Sequence, residues 1–129
     1  MIIDGLINPQ VLSLLSRIRH TNMLVIADAA FPFWPQIETV DLSLVKGVPT
    51  VLQVINAVLP NWKCGEALMA QEFLPNNDRR TRAAFVKACR GIELKFEPHV
   101  EFKKRVPHAI GLIRTGDTTM YGNMILVSA

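Results

Sequence analysis

Six polar side chains stand where an otherwise apolar chain changes element: His20, Asp28, His99, Lys103, Tyr121 and Asn123. His20 follows a helical pattern and precedes an apolar run. An imidazole titrates near neutral pH and can act as general acid and general base without much tuning. The competing reading is a histidine that closes a helix and interacts with its dipole, worth about 1 kcal/mol. Asp28 ends the run Met23-Leu-Val-Ile-Ala27, where a carboxylate accepts hydrogen bonds from hydroxyl groups, orients a histidine, or caps a loop. His99 follows Pro98, and Lys103 lies one helical turn further on the same side; an exposed helix face also uses such residues. Tyr121-Gly122-Asn123 leads into the last apolar run. Tyrosine offers a flat apolar face and a hydroxyl, and an asparagine amide donates and accepts at once. That pair suits a ligand rich in hydroxyls as well as a turn into a strand. Trp34 and Trp62 can stack on a ring or pack in a core.

Several other chemistries lack their signatures. There is no Gly-rich phosphate loop, no paired-histidine metal motif and no nucleophile elbow. Cys64 and Cys89 stand in no metal or redox spacing and read as two reduced, partly buried thiols. What is left is a sparse set of polar residues at the ends of elements.

The elements that must position these groups can be read from the pattern. Asn8-Pro9 is a cap followed by proline in the first helical turn. Val11, Leu14, Leu15 and Ile18 then recur at helical spacing, which predicts a helix to about His20. Met23 to Ala27 reads as a strand buried on both faces. Ala29 to Pro35 is too proline-rich for a regular element, and a short strand follows near Ile37 to Val40. Pro49 opens a helix that carries Val51, Leu52, Ile55 and Val58 on one face and ends at Pro60. Glu66 to Ala70 reads as a strand. A helix capped by Asn77 or Asp78 stops at Gly91, and Ile92 to Phe96 is the next strand. Pro98 starts a short helix that Pro107 ends, and two strands, Ala109 to Arg114 and Met124 to Val127, close the chain. Helices alternating with short apolar strands predict an α/β fold, a single three-layer α/β/α domain over residues 1–129 with a mostly parallel, mixed sheet. Ligands of such sheets bind outside the carboxyl ends of the strands, which directs attention to the loops after Ala27, Phe96 and Arg114.

Composition narrows the partners. Half of the 129 residues are hydrophobic, and the mean hydropathy is +0.24. A chain this short has little interior for so much apolar surface, which points to burial between copies in a homo-oligomer. No apolar run is long enough for a membrane helix, and Met1-Ile-Ile-Asp4-Gly5 lacks the charged and apolar regions of a signal peptide; the expected location is the cytoplasm. The net charge is +3. The basic clusters Arg79, Arg80, Arg82, Lys87, Arg90 and Lys103, Lys104, Arg105 share their segments with apolar residues at helical spacing, so they read as solvated helix faces rather than a nucleic-acid surface.

In order and spacing the polar set resembles the D-ribose pyranase / L-fucose mutarotase family, over nearly the whole chain. The resemblance is carried by Ser16-Arg-Ile-Arg-His20-Thr21, Leu24-Val-Ile-Ala-Asp28-Ala29 with Pro32, Val40-Asp41-Leu42, Gly47-Val48-Pro49 and Leu52-Gln53-Val54. It continues through His99, Phe102-Lys103, Arg114-Thr-Gly116 and Tyr121-Gly-Asn123-Met-Ile-Leu126. Gly47-Val48-Pro49 and Glu66-Ala67 look like the ribose branch, and Tyr121-Gly122-Asn123 looks like the fucose branch. The resemblance implies that His20 is the catalytic proton donor and that Asp28, His99, Tyr121 and Asn123 bind a monosaccharide, with Lys103 at a further site position and Tyr121 helping to shuttle a proton. It also implies a ring-shaped homo-oligomer, typically a decamer, with no metal or organic cofactor. Its cleft would lie between neighbours, with Tyr121 and Asn123 supplied by the adjacent subunit. The activity expected is interconversion of anomers or of pyranose and furanose rings. The rival is a non-catalytic sugar-binding partner of an uptake or catabolic system, which has no need of a titrating histidine at the ring oxygen.

Overall fold

The computed structural model describes residues 1–129. Helix α1 (Pro9–Ser16) begins as its sequence dictates: the Asn8 side chain accepts the Val11 N–H, and proline occupies the first turn. It ends at Ser16, short of the expected His20, because a turn held by Asn22 takes over. The backbone N–H of Arg19 donates to Asn22 Oδ1 (2.8 Å), and Thr21 adopts a left-handed φ of 69°. A local side-chain bond of this kind competes with helix continuation. His20 therefore lies on an exposed turn rather than on a helix.

Strand β1 (Met23–Ala27) follows with the expected bounds, and β2 is Glu38–Asp41. Helix α2 (Val51–Val58) starts with a capping box between Thr50 and Gln53; Pro49 lies just before the cap, and Pro60 falls in a 3₁₀ turn. Strand β3 is Cys64–Ala70. One turn of helix, α3 (Phe73–Asn76), has no counterpart in the sequence reading. Asp78 caps α4 (Arg79–Ala88), beyond which Gly91 takes φ +81°. Strand β4 (Glu93–Glu97), helix α5 (His99–Arg105), β5 (Gly111–Arg114) and β6 (Met124–Ser128) complete the chain.

The six strands form one sheet in the order β2-β5-β1-β6-β3-β4. Pairs β2–β5, β5–β1 and β3–β4 are parallel; β6 pairs antiparallel with both β1 and β3. The architecture is thus α/β, with β6 alone running against the other strands. This reversal matters for the site. The start of β6 lies at the same edge as the ends of β1, β3 and β5, so the residues just before Met124 join the loops at the carboxyl edge.

Alternation along the strands sends Leu24, Ile26, Ala67, Met69, Ile113, Met124 and Leu126 to one face, where Val11 and Leu14 of α1, Val51, Val54, Ile55 and Val58 of α2, and Phe85 of α4 cover them. Each such buried aliphatic side chain contributes about 1.5–3 kcal/mol. The other face carries Val25, Ala27, Leu68, Leu112 and Ile125 and is covered by Phe102 and Val106 together with Phe31 from the loop after β1. This second layer is one short helix and a loop. Gly111 permits the close approach of α1, since a Cβ there would meet Leu14 Cδ1 at 2.7 Å.

Candidate active site at the carboxyl edge

Asp28, Ala30, Phe31, Pro32, His99, Tyr121 and Asn123 line a cavity of about 170 Å³. Each polar member is placed by a strand or helix end. Asp28 leaves β1, and its N–H donates to Asn123 Oδ1 (2.7 Å). Asn123, 4% exposed, is fixed by the antiparallel register that pairs Ile26 with Met124. The loop of Asp28 then folds back on its own side chain, with Ala30 N–H donating to Oδ1 (3.1 Å). Burial pushes the Asp28 carboxyl above the usual carboxylate range. Hydrogen bonds from the Phe31 and Ala30 backbone and from the Asn123 side chain oppose that shift, and the negative charge of Asp117 adds to it.

His99 opens α5. Its backbone N–H donates to both carboxylate oxygens of Glu72 (3.0 and 3.1 Å), which anchors the start of the helix. Its ring stands edge-on to Tyr121, with centroids 5.1 Å apart and planes at 86°, and is flanked by Phe31 and Phe102. Desolvation lowers its pKa, as does the positive charge of Lys103, against weaker pulls from Glu72 and Asp28. The imidazole is neutral at pH 7, and its Nε2 is buried without a hydrogen-bond partner. Tyr121 holds a left-handed φ of 54°, a conformation that costs a non-glycine residue about 1–2 kcal/mol. Asn77 supports that segment by donating to Met120 O (2.8 Å) and to Phe73 O (2.9 Å).

Four of the six candidates thus meet in one chain. Relative to Asp28 and His99, Tyr121 and Asn123 are not contributions from a neighbour: the Asn123–Asp28 bond and the Tyr121–His99 contact are internal. Lys103 lines a neighbouring groove of about 350 Å³ with Phe33, Trp34 and Val100, which shares Pro32 with the cavity. His20 is outside altogether. It precedes β1 whereas Asp28 follows it, and the five residues of β1 alone span about 16 Å. Trp62 donates to Ser128 Oγ (3.1 Å) at the far edge, and Trp34 packs against Phe31 on the outer side; neither lines the cavity.

The sequence reading marked the loop after Arg114 but gave its residues no part in the scaffold of this site. Thr115 Oγ1 donates to Ala27 O, Asp117 Oδ2 accepts the first N–H of α2 from Val51 (2.8 Å), and Ala29 N–H donates to Asp117 O. Gly116 sits so close to the 45–48 turn that a Cβ would collide with the carbonyl oxygens of Val45 and Val48. The available signal was the run Arg114-Thr-Gly-Asp117 itself, polar residues that close an apolar strand and are all buried. No three His, Cys, Asp or Glu side chains come together in a way that would hold a metal ion.

Comparison with known proteins identifies the fold and the family. The model of the RbsD / FucU transport protein family matches residues 1–129. The D-ribose pyranase of Chromobacterium violaceum is 38% identical over 124 residues, covering 96% of this chain and 94% of that protein. That of Geobacillus kaustophilus is 35% identical over 125 residues, covering 97% and 91%. Among solved structures, Bacillus subtilis RbsD complexed with D-ribose superposes with a TM-score of 0.92 at 28% identity, over 100% of this chain and 98% of that one. The fucose mutarotase of Streptococcus pneumoniae in complex with L-fucose shares the fold, with a TM-score of 0.80 at 18% identity over 95% and 93% of the two chains. With a six-stranded sheet of the same architecture and a match along its full length, this chain belongs to the RbsD / FucU family.

Proposed function

We propose that the protein interconverts the ring forms of a free monosaccharide, D-ribose foremost, through His20-assisted ring opening in a site shared between two copies. The chain is a sugar-ring isomerase, in keeping with its D-ribose pyranase relatives; the sugar and the residues that move protons are our reading. The observation that carries it is His99 Nε2, a buried ring nitrogen with no partner. It stands beside a carboxylate, a phenol and an amide that line one cavity. A sugar hydroxyl would satisfy it, and the neighbouring groups would hold the remaining hydroxyls.

Ring opening removes the proton from the anomeric hydroxyl, forms the aldehyde as the bond from carbon to ring oxygen breaks, and returns a proton to that oxygen. One imidazole can perform both transfers in turn, with Tyr121 assisting. His20 would come from a neighbouring copy, because one small sugar cannot span a strand length. Phe33, Leu44 and Val100 are exposed apolar residues, which supports burial between copies. The assembly in this reading is a ring-shaped homo-oligomer, a decamer, of single-domain subunits in the cytoplasm. No helix is long and apolar enough to cross a membrane.

Saturation-transfer NMR on ribose, fucose, galactose and glucose tests the reading. Wild type should accelerate exchange of ribose, and His20→Ala should lose about 10²–10⁴-fold of that acceleration. If no sugar exchanges faster than in buffer, the function is wrong; binding without exchange would indicate the non-catalytic sugar-binding partner instead.

A further inference from the structure

Arg114 ends β5 at 9% exposure with no carboxylate within ion-pair distance; Asp41, its partner in β2, is held low chiefly by the Ser43 hydroxyl and, from beyond that distance, by the Arg114 charge. Its guanidinium is spent on backbone carbonyls of a single turn. Nη1 donates to Asp28 O (3.3 Å), Ala29 O (3.3 Å) and Phe31 O (2.6 Å), and Nη2 donates to Pro32 O (3.3 Å). A planar fork of donors can gather several carbonyls at once, and a lysine ammonium on a flexible stem cannot hold them in the same geometry. The carbonyls of this turn face the guanidinium, while the Ala30 N–H meets the Asp28 carboxylate on the other side. The turn is a layer of peptide dipoles with the cation behind it and the carboxylate in front.

We propose that Arg114 is a positioning residue, which orients the 28–32 turn so that its N–H groups hold the Asp28 carboxylate in place for a sugar hydroxyl. Arg114 touches neither the cavity nor the sugar; it acts through the peptide groups between them. The other titratable or charged groups around Asp28 are Asp117 at the exit of β5, His99 on α5 and Tyr121 before β6. None of them contacts the carbonyl side of the turn. Without the guanidinium those carbonyls lose their partner, the turn relaxes toward water, and the N–H groups leave the carboxylate. The carboxylate then binds its proton more readily.

The kinetic part of this inference rests on the proposed sugar-ring activity; the titration part does not. The test is a ¹³C NMR titration of the Asp28 carboxyl, assigned with Asp28→Asn, in wild type, Arg114→Met, Arg114→Lys and Thr115→Val. Thr115→Val cuts bonds at the same strand end without touching the turn carbonyls, and so reports simple loosening. Arg114→Met should raise the Asp28 midpoint by about one pH unit, Arg114→Lys by less, and Thr115→Val should leave it in place. In ribose exchange, Arg114→Lys should raise KM about tenfold with kcat within about threefold, because binding is lost more than proton transfer. Should Arg114→Met fail to fold, Arg114→Lys carries the test. An unmoved midpoint in the folded Arg114 variants, or an equal movement in Thr115→Val, overturns the proposal. If wild type exchanges no sugar, the proposed function fails while the titration still decides the role of Arg114.

Discussion

At the carboxyl edge of the sheet, Asp28, His99, Tyr121 and Asn123 are held by buried hydrogen bonds and ring contacts, whereas at the amino edge His20 stands on an exposed turn. The carboxyl edge carries the costs usual for a binding site. It has a carboxylate that burial pushes toward protonation, an imidazole nitrogen with no partner and a tyrosine with left-handed backbone. At the amino edge, the turn of His20 is closed by ordinary local bonds, such as Thr21 N–H to Ser128 O (3.1 Å) and Arg19 N–H to Asn22 Oδ1. In the proposed function, one chain thus carries the sugar-holding groups at one end and the proton-transfer histidine at the other. Such a division makes sense where the two ends of different copies meet, and a head-to-tail contact gives a ring when its rotation closes and a filament when it does not.

The comparison can be broken most directly by complementation. His20→Ala and Asn123→Ala should each be inactive alone. Dissociated, mixed and reassembled in equal amounts, they should recover about a quarter of wild-type exchange, since about one interface in four then pairs an intact cavity with an intact His20. No recovery above the parent variants, despite mixed oligomers seen by native mass spectrometry, would mean that both residues must belong to one chain.

Asn123→Ala sharpens the carboxyl side of the contrast. It leaves the Asp28 N–H buried without an acceptor, at a cost of about 1–3 kcal/mol, readable as a lower urea midpoint with an unchanged slope. His20→Ala removes an exposed side chain and should change stability by no more than about 0.5 kcal/mol.

The smallest effect is one of pH. The His99 pKa is lowered in the folded protein. The unfolded chain therefore binds the proton first as the pH falls below the ordinary imidazole value of about 6.5. Stability is fully present above that value and declines below it, down to the folded pKa. Asp28 has the opposite sign: its raised pKa makes the folded protein the better proton binder, so its contribution to stability falls as the pH rises from about 3.9 through its folded value. Thermal melts between pH 7 and pH 5.5 should show a shallow loss that His99→Gln abolishes and His20→Ala does not.

Much of the fold was legible because it is local. The apolar run from Met23 to Ala27, the caps at Asn8 and Asp78, and Gly91 after α4 each act within a few residues of themselves. The end of α1 was misjudged because the pattern Val11-Leu14-Leu15-Ile18 continues while the backbone turns away to Asn22. Helix α3 is a single turn, too short to leave a periodic signature. At the site, Asp28 and His99 could be singled out from strand and helix ends, whereas Arg114 was marked only as the end of a strand, because the carbonyls its guanidinium gathers lie more than eighty residues earlier in the chain.

The sequence by itself determined which residue types were available for proton transfer and sugar contact, and that strands and helices alternate in an α/β chain. Hydrophobic period and capping depend on neighbours along the chain, so they are written locally. Only the tertiary structure decided that β6 runs backward between β1 and β3. That reversal brings Tyr121 and Asn123 to Asp28 and His99 and leaves His20 a strand length away. Strand order and direction arise from pairing between distant segments, such as Met23 with Val127, and no local pattern records which partner a strand will take.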